Sequence, residues 1–166
     1  MDEDLSIRRK WTLRAHGRQI VLVKKRNEKT SHVFMKAFLW ALYLPRYPDL
    51  TVEVRIGDRF KPDVVSLGED GRPIFWGEAG YLSNNKIKSL LRRYRDAHFA
   101  IAKWDAPLGP FVRIIQKALR DLDRGSRVDL IRFPPDSIQL FVDDRGRIRV
   151  KRDALEWVEL SERSGS

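Results

Sequence analysis

The chain is 166 residues long, with 33 Lys and Arg against 23 Asp and Glu, a formal net charge of +10 and no cysteine. That length allows one domain with a real core. The lack of cysteine excludes disulfides and thiolate metal sites, and no apolar run approaches the roughly 18 residues of a membrane span. A folded domain this basic usually meets a polyanion, most often nucleic acid; the alternative is a charge that serves only solubility.

The start, MDEDLSIRRK, is polar and lacks the apolar segment of a signal peptide, so a cytoplasmic protein is the default expectation. Residues 1–10 and 161–166 read as loose ends of one domain spanning 1–166. From Trp11 to Arg26 two β-like runs flank a His16-Gly17 turn and predict a hairpin. Thr30 or Ser31 then caps a helix running to about Leu44. Its apolar residues, Phe34, Phe38 and Leu42 with Val33, Leu39 and Trp40, cover more than one stripe, so it is expected to be buried. Thr51–Ile56 alternates as a short strand, and a second hairpin follows in the stretch FKPDVVSLGEDGRPIFWGEAG.

Ser83 is placed to cap the next helix, with Ile87, Leu90, Leu91 and Tyr94 on one face. His98–Trp104 reads as a buried strand, Pro110–Leu122 as an amphipathic helix and Arg127–Phe133 as another strand. The end, from Ser137 to Leu160, reads as two strands or three around an Asp144-Arg145-Gly146 turn, a C-terminal β-hairpin. The order predicts an α/β protein: a mixed β-sheet flanked by helices.

The second hairpin carries the chemistry. Asp70-Gly71 is a two-residue turn signal, and centring the turn there pairs Glu69 with Arg72, Leu67 with Ile74, and Val65 with Trp76. One step further out Asp63 falls opposite Glu78, about 4.5–5.5 Å away at Cα. Those two acids continue the apolar face of the hairpin. Like charges directly opposite one another destabilise a sheet, and half-burial raises that cost. A divalent cation such as Mg²⁺, held by one or two carboxylates with phosphate and water completing its shell, is the simplest offset. The plainer alternative leaves both acids at a frayed hairpin end, in water or beside arginines.

Directly after Glu78 comes a basic helix carrying Lys86, Lys88, Arg92, Arg93 and Arg95. Its N-terminal end and these cations favour phosphate. A lysine within a turn of the carboxylates can orient a water and stabilise developing charge. That narrows the choice to Lys86 and Lys88, with Lys88 preferred; Arg92, Arg93 and Arg95 are expected to position phosphates or simply to face solvent. His16, His32 and His98 show no metal-ligand spacing, Asp143-Asp144 reads as a turn pair, and the five tryptophans are scattered as core residues.

Pro62-Asp63, a hairpin, and then Glu78-Ala79-Gly80 resemble the signature of the PD-(D/E)XK nuclease superfamily, with glycine where lysine is usual. More specifically, the Glu-X-Gly triplet followed by Lys86-Ile87-Lys88 resembles the YaeQ family of that superfamily. EKTSHVFMKAFLWALY is similar to that family's first core helix, and SIQLFVDDRGRIRVKRDALEWVEL to its C-terminal hairpin.

The resemblance implies a restriction-endonuclease-like core and phosphodiester hydrolysis that depends on Mg²⁺ or Mn²⁺, with lysine supplied from the helix. It also implies that an acid near the first helix, here Glu28, can be an extra metal ligand beside Asp63 and Glu78. The expected function is a nuclease or nuclease-like protein acting on DNA or RNA. The alternatives are a catalytically inactive relative that binds nucleic acid in a regulatory role, and a basic protein–protein adaptor. Oligomeric state and the choice between DNA and RNA are left open.

Overall fold

The strands of the central region bury residues on alternate faces, and that alternation sets where each helix must pack. In the computed structural model, which describes residues 8–122 and 125–161, strand β1 (Lys10–Ala15) pairs antiparallel with β2 (Arg18–Val23). His16 and Gly17 take positive φ between them, as a tight hairpin turn requires. Helix α1 (Thr30–Tyr43) follows, then β3 (Thr51–Val52), β4 (Val64–Leu67), β5 (Pro73–Ala79), α2 (Asn84–Arg93), β6 (His98–Trp104) and α3 (Gly109–Arg120). The chain continues through β7 (Val128–Phe133), a short helix α4 (Ser137–Phe141), a single 3₁₀ turn at Arg152–Ala154 and β8 (Glu156–Leu160).

Strands β3 to β8 form one six-stranded sheet in sequence order, parallel at β5-β6-β7 and antiparallel elsewhere. The predicted mixed sheet flanked by helices is therefore the observed architecture. One face packs on α1 and the β1/β2 hairpin through Phe34, Phe38, Leu39, Phe75, Ala100 and Ile131. The other packs on α2 and α3 through Trp76, Leu90, Leu91, Ile101, Ile115 and Leu130. Trp11, Trp40 and Trp76 are buried, and Trp104 and Trp157 are half-buried. Among the described residues no helix is long and apolar enough to cross a membrane.

Several local expectations change. Thr30 is the first residue of α1, not its cap; Lys29 holds that position and makes no side-chain cap bond. The strand predicted over Thr51–Ile56 is only Thr51–Val52. The C-terminal hairpin shrinks to one antiparallel bridge, Val142 with Ile148, because Ser137–Phe141 is helical and Glu156–Leu160 instead joins the edge of the main sheet. Lys10, expected in a loose end, is paired with Val23; residues 1–7 and 162–166 lie outside the described residues.

The β4/β5 hairpin reaches its predicted register by an unforeseen route. Its loop has three residues, Glu69 to Gly71, closed by Gly68 N donating to Arg72 O at 2.8 Å. Gly71 takes φ +80°, which glycine tolerates without strain. That loop pairs Leu67 with Pro73, one residue out of the expected register, so neither Glu69/Arg72 nor Leu67/Ile74 forms. A bulge between Ser66 and Leu67 restores it: Val65 lies opposite Trp76, as the turn-centred pairing requires.

Candidate active site

Asp63 and Glu78 come together because β4 and β5 stay paired to the end of the ladder. Val64 lies opposite Gly77, and Asp63 N still donates to Gly77 O at 3.2 Å. The Asp63 carboxylate is anchored, its Oδ2 accepting from Ala79 N at 2.8 Å. Glu78 shares a face with Trp76, two residues earlier on the same strand, and is 4% exposed. Its Oε1 accepts from Trp76 Nε1 at 2.9 Å and stands 3.3 Å from Lys86 Nζ.

Burial pushes the Glu78 carboxyl up, the charge of Asp63 pushes it further, and Lys86 only partly opposes them, so it lies at about 7. An acid held that high by burial and a like charge is short of positive charge.

Behind Asp63 runs a chain of alternating charges. His32 Nε2 lies 3.6 Å from Asp63 Oδ2, and its Nδ1 lies 2.6 Å from Glu28 Oε2. The Asp63 carboxylate beside it raises His32 above the usual imidazole range against the opposing effect of burial. Glu28 also accepts from Lys36 Nζ at 2.7 Å and, through Oε1, from Lys25 N at 2.9 Å. Lys36 is only 1% exposed and holds Glu53 as well as Glu28. Burial would raise Glu53, yet the hydrogen bonds from Lys36 and Lys25 outweigh it and hold the carboxyl at about 2. Lys25 and Lys61 complete that cluster at 3.0 and 3.2 Å. Glu28 thus meets Asp63 through His32. Among the described residues no group of three or more His, Asp and Glu side chains is arranged to hold a metal ion.

Of the two candidate lysines, the structure brings Lys86 to Glu78 and leaves Lys88 exposed. Ser83 caps α2, its Oγ accepting from Lys86 N at 3.1 Å, and the phase so set buries Ile87, Leu90 and Leu91. Lys86 and Lys88 flank Ile87 on opposite sides. Which flank meets β5 depends on how the helix lies across the sheet, and the sequence carries no signal for that. Arg92 and Arg95 are exposed. Arg93 pairs with Asp58 and lies over the Phe60 ring, 5.6 Å from its centroid.

Gly80, where a lysine would complete the motif, has φ +85°, a region that disfavours side chains. Sequence reasoning missed the residue beside it. Lys103, on β6, falls one step beyond the Ala79/Ala102 pair, level with Gly80, and its Nζ donates to Gly80 O at 2.5 Å. Its side chain stands over the Phe111 ring at 4.1 Å and the residue is 6% exposed. Burial alone pushes the ammonium down to about 8. The available signal was a lysine inside an otherwise apolar parallel strand, HFAIAKW, near its carboxyl end, where open α/β sheets bind ligands.

A sheet with a parallel centre and antiparallel edges, helices on each face and a strained acidic pair beside the carboxyl end of a central strand defines an α/β protein with a candidate site at that strand end. Two solved structures share this fold. The YaeQ protein from Pseudomonas syringae matches with a TM-score of 0.62 and 13% identity over 92% of this chain and 92% of that one. The YaeQ protein from Xanthomonas axonopodis pv. citri matches with a TM-score of 0.57 and 12% identity over 92% of this chain and 94% of that one. At these identities the likeness is one of fold. The sequence matches no protein-family model and no curated protein.

Proposed function

We propose that this chain is a YaeQ-type member of the PD-(D/E)XK superfamily and a divalent-metal-dependent nuclease. The observation that carries the reading is Glu78: a buried carboxylate set beside a second one, left with less positive charge than it needs.

The donor set fits Mg²⁺ or Mn²⁺, since Asp63 and Glu78 supply hard oxygen ligands and phosphate and water commonly complete such shells. When bound, the cation polarises a phosphoryl oxygen and makes a bound water more acidic. The chain's own residues do the rest. Ala79 N and His32 hold the Asp63 carboxylate in place, while Glu28, itself held by Lys36, fixes the imidazole. Lys86 carries an ammonium group next to Glu78, where it can stabilise charge on a reacting phosphate. Arg92, in the last turn of the same helix, and Arg95, in the turn just past its end rather than on it, lie exposed and can track the backbone of DNA or RNA.

The test is cleavage of single- and double-stranded DNA and RNA with Mg²⁺ or Mn²⁺, repeated with Asp63→Ala and Glu78→Ala. Either substitution is expected to cost about a hundredfold or more; activity that survives one of them removes that residue from the site. One observation favours a second reading, a nucleic-acid-binding protein without turnover: Lys86 already sits against Glu78, in competition with a cation. Calorimetry showing no divalent-ion binding, with salt-sensitive nucleic-acid binding intact, selects that reading.

A further inference from the structure

Beside the carboxylate pair a cleft of about 550 Å³ opens between the start of α1, the carboxyl ends of β5 and β6, and the start of α3. Lys103 lines it, nine-tenths buried, and among the described residues no carboxylate lies within ion-pair distance of its Nζ. A buried ammonium met by one carbonyl and the face of one aromatic ring, with no carboxylate, is only partly compensated for its desolvation, and an anion in the cleft offsets the rest. Glu28 also lines the cleft, but both its oxygens are taken by Lys25 N, His32 and Lys36.

Three aromatic rings, Trp104, Phe111 and Tyr81, are among the other residues that line it, with Lys29 a second cation. Tyr81 is 89% exposed, at the point where the left-handed Gly80 turns the chain out of β5. An uncovered ring beside a cation is the combination that holds an unpaired base and its phosphate. The volume lies within the ordinary range for a small-molecule site. His32 and Ala79 line the same cleft, and both touch Asp63, so cleft and carboxylate pair are neighbours along one path.

We propose that this cleft seats one unpaired nucleotide next to the phosphate that a cation on Asp63 and Glu78 would hold, with its own phosphate on Lys103 and its base against Tyr81 and Phe111. The substrate is then single-stranded at that point. The identity of the ligand rests on the nuclease reading, but its binding does not require cleavage.

The test is binding of adenosine 5′-monophosphate, adenosine and inorganic phosphate to the metal-free full chain, followed by tryptophan fluorescence and amide chemical shifts. Adenosine monophosphate is expected to bind more tightly than either part. Lys103→Met should weaken it about tenfold or more through the lost charge-assisted bond and abolish phosphate binding. Tyr81→Ala, at an exposed position that leaves the core intact, should weaken adenosine and the nucleotide about fivefold or more through lost stacking while sparing phosphate. Nucleotide binding unchanged by both substitutions, or no binding at all, overturns the proposal. Binding of phosphate with no gain from the base overturns the stacking half of it. Lys103-dependent nucleotide binding in a chain that never cleaves keeps the cleft and removes the nuclease; cleavage without nucleotide binding does the reverse.

Discussion

The two faces of the central sheet treat buried charge in opposite ways. On the α1 side Asp129 is fully buried, and its Oδ2 is met by the Tyr43 hydroxyl at 2.5 Å and His98 Nε2 at 2.7 Å, with Arg127 Nε 3.2 Å from Oδ1. Burial alone would raise that carboxyl, but the bonds from His98 and Tyr43 outweigh it and hold it below the usual range. Lys36, equally buried, has Glu28 and Glu53.

On the α2/α3 side Glu78 and Lys103 lie on neighbouring strands, two positions apart in register. Each is driven toward neutrality, to about 7 and about 8. The desolvation cost is of the same kind on either face. Where carboxylate and cation partners are built in, the charge is offset within the fold; where they are short, it is left open to a ligand.

Substitutions can break this contrast. The largest expected effect is Lys36→Met, which removes the buried cation shared by the half-buried Glu28 and Glu53 and should cost about 3 kcal/mol or more in urea denaturation. A loss under about 1 kcal/mol, the scale of a surface pair, would remove the distinction between the faces.

Next comes pH. Glu78 is raised in the folded state from an ordinary 4.5 to about 7, so between those values the folded form binds more protons than the unfolded one. Metal-free stability should therefore fall as pH rises through that window, by about 3 kcal/mol in all. Glu78→Gln should flatten the slope, and Mg²⁺ should raise Tm at pH 7.5 far more than at pH 5. A slope that persists in the Gln variant places its source elsewhere.

Smaller still is Gly80→Lys. Restoring the familiar lysine forces a side chain onto a left-handed backbone, at about 1–2 kcal/mol, and should not raise the cleavage rate. A faster variant would mean that Gly80 is truly a missing catalytic group.

The smallest effect is Lys103→Met, expected to leave stability within about 1 kcal/mol or to increase it, because an unpaired buried cation is removed. The pH sign is opposite to that of Glu78. Between about 8 and the ordinary 10.5 the folded form binds fewer protons than the unfolded one, so wild-type stability should rise with pH there. Thermal melts at pH 8 and 10 should show the rise in wild type and not in Lys103→Met.

Much of the fold was legible because its signals are local. The short, nearly continuous apolar run HFAIAKW marks β6 over His98–Trp104 as a buried strand, and Ser83 with Ile87, Leu90 and Leu91 marks α2 and its cap. The Ser137–Phe141 helix was not legible as such, since a five-residue stretch, SIQLF, has too few turns to separate a 3.6 period from a period of two. The adjacency of Asp63 and Glu78 was legible through the hairpin register, although a three-residue loop and a compensating bulge, rather than a two-residue turn, restore it.

What the sequence determined alone, then, is the order of elements, the apolar faces and the pairing of two acids across one hairpin, all of which depend on spacing along a short stretch of chain. Only the tertiary structure decided which cations meet them. Lys86 rather than Lys88 reaches Glu78 because of the way α2 crosses the sheet, and Lys103 reaches Gly80 because β5 and β6 pair in parallel across a helix. Electrostatic partnership follows distance in space, and for these residues the crossing and the crossover, not the local pattern, set that distance.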